Sequence, residues 1–287
     1  MKRKDFIKNT AALTLGTAFL PLLSKTIGNT NGKTPLNVVL IVLSGGVRIQ
    51  DTLLNPTNLP FVLSNNPDLN RSKMLFNNSN SNHLDGLSDI FYGKIKKRSI
   101  LDDLANNINM QSNEIKLFGN SYLNKVFSNN EYKKYVVKNN TNQYNNEESQ
   151  NAQRMSRVLK SVKTNKCAFT SVVLDEFDNC HNNHSRYLEN LKESDELISV
   201  LWNKMTIDLN MKNTLFMVVQ DCGRDLSPNS DIYPQIGYNH NDENAKRTFC
   251  SLIYTDTLKV AASEISTKMR SNSDIKEALV SLFGNNA

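Results

Sequence analysis

The chain has 287 residues, of which 39% are hydrophobic and 22% are charged, as is ordinary for a globular protein with one large core. Its formal net charge of +6 is concentrated in residues 1–25, which contain five basic residues and one acidic residue. The remaining residues carry only a small positive charge and no nucleic-acid-binding motif, which argues against a protein that binds nucleic acid.

Residues 1–25 have the features of an export signal. Basic residues come first, and an apolar stretch over residues 11–23 follows, which is shorter than a helix that spans a bilayer. Residues 3–8 resemble a twin-arginine signal, with Lys4 in place of the second arginine. We predict export to the periplasm or cell envelope of a bacterium, with the signal either cleaved or retained as an anchor. A buried amino-terminal helix is the alternative.

Four continuous apolar runs predict buried strands, because parallel strands covered on both faces lack polar alternation. They span residues 37–43, 167–174, 214–219 and 249–254. Apolar residues at helical spacing predict a long helix over residues 185–205 and a final helix over residues 274–283. The predicted fold class is therefore α/β, with a mostly parallel central sheet and helices on both faces.

Residues 36–287 are predicted to form a single domain. A polar, Asn-rich excursion from the sheet, made of a helix and long loops, is expected at about residues 106–151. The four cysteines do not have zinc-knuckle spacing, so most of them are expected to be small buried hydrophobic residues.

Polar residues directly follow three of the four predicted strands. They occupy residues 44–48, 175–184 and 220–225, and His240 comes one loop later. Ligands of open parallel sheets bind beyond the carboxyl ends of the strands. We therefore expect Asp178, His181 and His240 to meet there around a divalent cation, with His184 as an alternative to His181. Ordinary solvated loop residues are the competing interpretation.

Arg48 and Arg224 follow the first and third predicted strands, and each has two interpretations. A guanidinium group at this edge can bind the anionic part of a small phosphate or sulfate ester through paired hydrogen bonds. An ion-pair arginine without contact to substrate is the alternative.

The order of these blocks resembles that of the alkaline phosphatase/sulfatase superfamily. Residues 38–48 resemble its first strand, residues 178–181 its middle Asp-and-His motif, residues 214–224 its strand ending in Asp-His-Gly, and residues 237–240 its last metal histidine. The resemblance covers most of the chain after residue 36. It implies an ester hydrolase in which divalent ions stabilise an oxyanion and activate a hydroxyl nucleophile.

The resemblance also implies roles for individual residues. The metal ligands would be Asp178, His181, Asp221, Cys222 and His240. Ser44 stands where the family has a metal aspartate, and Cys222 stands where it has a histidine, which implies an eroded site with one ion. A thiolate favours zinc, and magnesium and calcium are the alternative ions.

The nucleophile implied by the resemblance is Ser79 or Ser81, with Thr52 as a less favoured candidate. Three classes of function stay open at this point. The chain is a metal-dependent hydrolase of phosphate, sulfate or phosphonate esters, a non-catalytic binding protein on the same fold, or an unrelated α/β surface protein.

Overall fold

The computed structural model describes residues 35–64, 70–77, 82–119, 121–137, 149–165, 167–225, 240 and 243–286. Within these residues, six strands form one sheet: β1 Asn37–Leu43, β2 Asn70–Phe76, β3 Ile115–Phe118, β4 Phe169–Leu174, β5 Thr214–Gln220 and β6 Arg247–Tyr254. The α-helices of this part of the chain are α1 His83–Tyr92, α2 Ile100–Asn106, α3 Ser121–Val126, α4 Gln150–Asn165, α5 His184–Asn203, α6 Lys259–Lys268 and α7 Ile275–Asn286.

The strand order in the sheet is β2-β6-β5-β1-β4-β3. Strand β1 pairs in parallel with both β4 and β5, and β3 pairs in parallel with β4. Strand β6 is antiparallel to both β5 and β2, so it alone among these six runs against the common direction. The sheet is mixed but mostly parallel, which confirms the predicted α/β class.

The two faces of β1 are buried under different helices. Val38 and Leu40 contribute to a core that includes residues of α1, α2, α6 and α7, whereas Val39 and Ile41 pack with residues of α4 and α5. Every residue of β1 is buried, which explains its unbroken apolar sequence. Helices on both faces were predicted from this pattern.

The register brings the carboxyl ends of the central strands to one edge of the sheet. Leu43, the last residue of β1, pairs with Leu174 at the end of β4 and with Gln220 at the end of β5. The polar segments that follow these three strands therefore leave the sheet side by side, as the sequence predicts.

The two edge strands, β2 and β3, were not predicted from the sequence. Strand β3 lies within the range predicted to leave the sheet, and it pairs with β4 through residues such as Leu117 and Phe118. That expectation is corrected for residues 115–118, whereas residues 138–148 lie outside the described part of the chain.

The four cysteines are buried and free of disulfides. Among the helices described, none combines the length and the apolar character that crossing a bilayer requires.

Candidate metal centre

The floor of the candidate site joins the ends of β1 and β5. Ser44 follows β1 and donates a 2.6 Å hydrogen bond from Oγ to Oδ2 of Asp221, which follows β5. The other carboxylate oxygen of Asp221 accepts a 2.7 Å hydrogen bond from the backbone N–H of Cys222. Asp221 is completely buried, so these donors replace the water that the carboxylate has lost.

His83 is the residue around which the site is arranged. It is the first residue of α1, and the preceding residue, Asn82, caps this helix by accepting a hydrogen bond from the N–H of Asp85. The Nδ1 atom of His83 lies 2.9 Å from Oδ2 of Asp221, and its Nε2 atom lies 3.1 Å from Oδ1 of Asp178. The imidazole therefore bridges two carboxylates that are far apart in sequence.

We call His83, Asp178 and His181 the outer group. Asp178 begins a short 3₁₀ turn after β4, and this turn brings His181 Nε2 within 3.4 Å of Asp178 Oδ1. The hydroxyl of Tyr122, on α3, lies 3.4 Å from the other carboxylate oxygen of Asp178. The side chain of Asp178 is 32% exposed, so the outer group faces solvent.

We call His83, Cys222 and His240 the inner group. The Sγ atom of Cys222 lies 3.4 Å from Nδ1 of His83 and 3.7 Å from Nδ1 of His240. Cys222 is completely buried, unlike Asp178. The Nδ1 atom of His240 is also 2.6 Å from the carbonyl oxygen of Gly223, which can only accept a hydrogen bond and so selects a protonated Nδ1.

The imidazole of His240 connects the two groups. Its ring packs edge-on against that of His83, with 5.0 Å between ring centroids, and against that of His181, with 4.9 Å between centroids. Three of the four histidines of the chain thus meet at the carboxyl edge of the sheet, with two carboxylates and one thiol.

The pKa values of these groups are displaced in opposite directions. Burial alone would lower the pKa of His83, but the Asp221 carboxylate and hydrogen bonds to Asp178 and Asp221 raise it well above its usual value. Hydrogen bonds from His181 and His83 hold the pKa of Asp178 far below its usual range. In the absence of a cation, His83 is therefore an imidazolium ion between two carboxylates.

Burial is the largest cause of the pKa shifts of the other two residues of the inner group, Cys222 and His240. It raises the pKa of the Cys222 thiol to about 12, with a further contribution from the Asp221 carboxylate. It lowers the pKa of His240 to about 4, and the charge of His83 acts in the same direction. A bound cation would favour the thiolate, because a coordinating thiol loses its proton.

The donor atoms of each group fit a divalent ion. In both groups, one ligand atom from each residue lies within 4.8 Å of the others. Ligand atoms of a tetrahedral zinc ion, at zinc–ligand distances of about 2.0–2.3 Å, are about 3.3–3.8 Å apart. The 3.4 Å and 3.7 Å separations of the inner group and the 3.1 Å and 3.4 Å separations of the outer group are close to this spacing.

A pair of glycines lets the chain pass over the site after β1. Gly45 and Gly46 both have positive φ angles, of 115° and 74°, which favour glycine. A Cβ atom at Gly45 would overlap the backbone nitrogen of Asp178, and one at Gly46 would overlap Cε1 of His240. The sequence pair therefore reflects close approach to two residues of the site.

Arg224 is placed beside the site, but its donors are directed at the main chain. Its side chain is buried, donates to the carbonyl oxygens of Gly45, Phe177 and Cys180, and lies 4.7 Å above the ring of Tyr187. These contacts join the loops that follow β1 and β4. They favour a structural role over the anion-binding role that the sequence suggested.

Arg48 and two alternative candidates, Thr52 and His184, are held by other contacts. Arg48 forms a 3.4 Å ion pair with Asp51, and its carbonyl oxygen accepts a hydrogen bond from the hydroxyl of Thr52. The ring of His184 stacks on Tyr187, with 5.5 Å between centroids, and is not among the clustered metal-ligating atoms of the described residues. Of the two histidines considered for the middle motif, the structure brings His181 into the cluster.

The proposed nucleophiles Ser79 and Ser81 lie outside the described residues. Sequence reasoning missed His83 as a site residue, although it closes the Asn- and Ser-rich segment that contains these serines. The available signal was the scarcity of histidine, since the chain has only four. The fold places this fourth histidine with His181 and His240 by starting α1 at the carboxyl edge of the sheet.

Fold and site together define an α/β protein with an alkaline-phosphatase-like fold and a cluster of metal-ligating side-chain types at the carboxyl edge of its sheet. The chain is similar to the zinc complex of the C-terminal periplasmic domain of EcEptC from Escherichia coli, with a TM-score of 0.54, 12% identity and coverage of 87% of this chain and 82% of that one. It is also similar to the soluble domain of lipooligosaccharide phosphoethanolamine transferase A from Neisseria meningitidis, with a TM-score of 0.54, 10% identity and coverage of 91% and 92%.

A third similar structure is the alkaline phosphatase from the Antarctic bacterium TAB5, with a TM-score of 0.51, 13% identity and coverage of 88% of this chain and 98% of that one. No protein-family profile and no curated protein matches the sequence. The predicted resemblance to the alkaline phosphatase superfamily is thus confirmed as a likeness of fold.

Proposed function

We propose that the chain is an exported, metal-dependent hydrolase of phosphate esters, or of related sulfate or phosphonate esters. Its site would hold a single ion, because it lacks some of the metal ligands that the family resemblance implies. One observation carries this proposal. Four distant segments deliver three imidazoles, two carboxylates and a thiol to the edge of the sheet where ligands of such sheets bind. The exposed side of Asp178 gives a small anionic ester access to this cluster.

The ion is held by donors of the outer or the inner group around His83, with zinc as the first choice and magnesium or calcium as alternatives. A bound ion supplies Lewis acid chemistry, polarising an ester oxygen and lowering the pKa of a coordinated hydroxyl or water. Asp221 and Asp178 fix the orientation of the His83 ring through its two nitrogens. Ser44 in turn holds Asp221.

The nucleophile of this proposal is Ser79 or Ser81, a few residues before His83 in the sequence. The similar structures support the substrate class and the location, because they include an alkaline phosphatase, a phosphoethanolamine transferase domain and a periplasmic domain. Residues 1–25 are the proposed export signal, and the proposed location is the periplasm or cell envelope.

A non-catalytic binding protein is the second candidate, and one observation favours it. His83 lies between the two carboxylates and, when protonated, balances their charge without an ion. Ser44 offers a neutral hydroxyl where the family resemblance places a carboxylate, which weakens a two-ion site further.

The test is metal content and turnover of the same protein preparation. The purified chain, stripped with a chelator and reloaded with zinc, is expected to bind one equivalent and to hydrolyse an aryl phosphate. The H83Q variant, which removes the one residue common to the inner and outer groups, should lose both properties, whereas the H184Q variant, which alters a histidine outside the cluster, should keep them. Stoichiometric zinc without hydrolysis of phosphate, sulfate or phosphonate esters would favour the binding protein, and the absence of bound metal would overturn both.

A further inference from the structure

The inner group contains a thiol whose surroundings are unusual for a buried cysteine. Cys222 is completely buried, yet its sulfur contacts two imidazole nitrogens rather than hydrophobic side chains alone. A thiol is a weak hydrogen-bond donor, so two S···N contacts of 3.4 Å and 3.7 Å contribute little by themselves. The same two separations match the spacing of ligands around a tetrahedral zinc ion.

The outer group, in contrast, satisfies its own hydrogen bonds. Asp178 Oδ1 accepts from Nε2 of both His83 and His181, at 3.1 Å and 3.4 Å. In the metal-free protein, Nδ1 of His83 directs a proton at Asp221 Oδ2, 2.9 Å away; loss of that proton leaves Nε2 donating to Asp178 and gives Nδ1 a lone pair 3.4 Å from the sulfur of Cys222. Asp178 then orients a metal-bound histidine in the way that carboxylates commonly do in zinc proteins.

We propose that the ion of this site is held by the inner group, through His83, the thiolate of Cys222 and His240, and is therefore zinc or another thiophilic divalent ion. This inference rests on the proposed function for the presence of an ion, and it specifies the ligands. Two nitrogens and one sulfur are a borderline-to-soft ligand set, which binds magnesium and calcium poorly. Three protein ligands leave the fourth tetrahedral position for substrate or water, as in catalytic zinc sites.

Binding at this position changes the protonation of all three ligands, and the His83 imidazolium must first release the proton on Nδ1 to solvent. The Cys222 thiol releases its proton to solvent when the sulfur–metal bond forms. If Nδ1 of His240 is the ligand, the proton that it donates to the carbonyl of Gly223 must move to Nε2, so that the ring stays a neutral imidazole. The ring then moves away from Gly223, since a carbonyl oxygen has no donor to offer.

The experiment uses cobalt(II) as a spectroscopic substitute for zinc in the full chain. Wild type is expected to show a thiolate-to-cobalt charge-transfer band in the near ultraviolet, which is independent of any ester hydrolysis. The C222S variant should lose the band and weaken cobalt binding by more than about tenfold. The matched C250S variant, which alters another completely buried and free cysteine, should retain the band.

X-ray absorption of the zinc-loaded wild type provides a measurement that needs no variant, and circular dichroism reports whether C222S folds. A sulfur neighbour at about 2.3 Å from zinc is expected. Bound metal without a sulfur neighbour, or a charge-transfer band that persists in C222S, would overturn the inner position while leaving the hydrolase proposal intact. A sulfur-ligated ion in a protein without ester hydrolysis would support the inner position and overturn the hydrolase proposal. A protein that binds no ion would overturn both.

Discussion

Ser44 Oγ and Asp221 Oδ2 are joined by a 2.6 Å hydrogen bond across the ends of neighbouring strands β1 and β5. The hydroxyl stands where the family resemblance places a metal-binding carboxylate. Asp221 is therefore stabilised by a neutral donor and by the imidazolium of His83, rather than shared between a second carboxylate and an ion. The negative charge of Asp221 is therefore compensated by His83 even when no metal ion is bound.

Replacing Ser44 with Asp should make the site depend on a metal ion to compensate its negative charge. In the metal-free protein, S44D places a second carboxylate beside a completely buried one, so we expect Tm to fall by at least about 2–4 °C. Zinc affinity should rise, because the ion gains a charged ligand. Chelator competition measures the affinity and a thermal melt the stability. The S44A control removes only a hydrogen bond, costs about 1 kcal/mol, and should not bind zinc more tightly. Unchanged affinity in S44D would contradict the assigned geometry.

Gly46 controls the position of His240. Alanine at this position adds a Cβ that overlaps Cε1 of His240, and its φ of 74° is unfavourable for alanine. We expect G46A to displace the imidazole, to weaken zinc binding and to destabilise the chain by about 1–3 kcal/mol. The control is G284A, because Gly284 lies in α7 with space around it and should be stabilised slightly by alanine. Wild-type zinc affinity in G46A would mean that His240 does not contact the ion.

The central strands could be predicted from sequence because a strand that is buried on both faces consists almost entirely of apolar residues. All residues of β1 and β5 are buried, and both appear in the sequence as unbroken apolar runs. Strand β2 has only two buried residues, Asn70 and Leu75, and it carries Arg71 and Lys73, so it lacks that signal. Strand β3 has only four residues. Edge strands depend on the neighbour that they join, which the local sequence does not specify.

The same distinction applies to the site. Asp178, His181 and Asp221 directly follow central strands, so a rule about the carboxyl edge of parallel sheets locates them. His83 follows no predicted strand, and its position depends on where α1 packs against the sheet. Its role could not be read from local sequence, because that packing is set by side chains of α1 such as Leu87 and Ile90 in the core.

Arg224 provides a test of structural against anion-binding roles. Removing its guanidinium group in R224M leaves the carbonyl oxygens of Gly45 and Phe177 without their donor, so we expect a loss of about 2–5 kcal/mol in unfolding free energy. Urea denaturation measures this loss. Inhibition of turnover by inorganic phosphate should be unchanged in whatever fraction stays folded. An R224M protein of normal stability that no longer responds to phosphate would instead support the anion-binding prediction.

The metal-free protein should be most stable near pH 6.5, because two histidines of the inner group have displaced pKa values of opposite sign. The pKa of His83 is raised by Asp221 and its hydrogen bonds against the effect of burial, so its stabilising contribution is complete below about pH 6.5, the usual value, and declines as pH rises. The pKa of His240 is lowered to about 4 by burial, so stability also declines as pH falls from about 6.5 to 4.

Urea midpoints of the chelator-treated protein between pH 4 and pH 9 measure both limbs of this profile. The H83Q variant should lose the decline above pH 6.5, because glutamine carries no titratable charge, and H240Q should lose much of the decline below it. Asp178, whose pKa is depressed by hydrogen bonds from His181 and His83, adds a further loss of stability below about pH 4, where its unfolded form takes up a proton. A wild-type profile that keeps rising above pH 7, or an alkaline limb that H83Q leaves unchanged, would show that His83 is not held as a cation between Asp178 and Asp221.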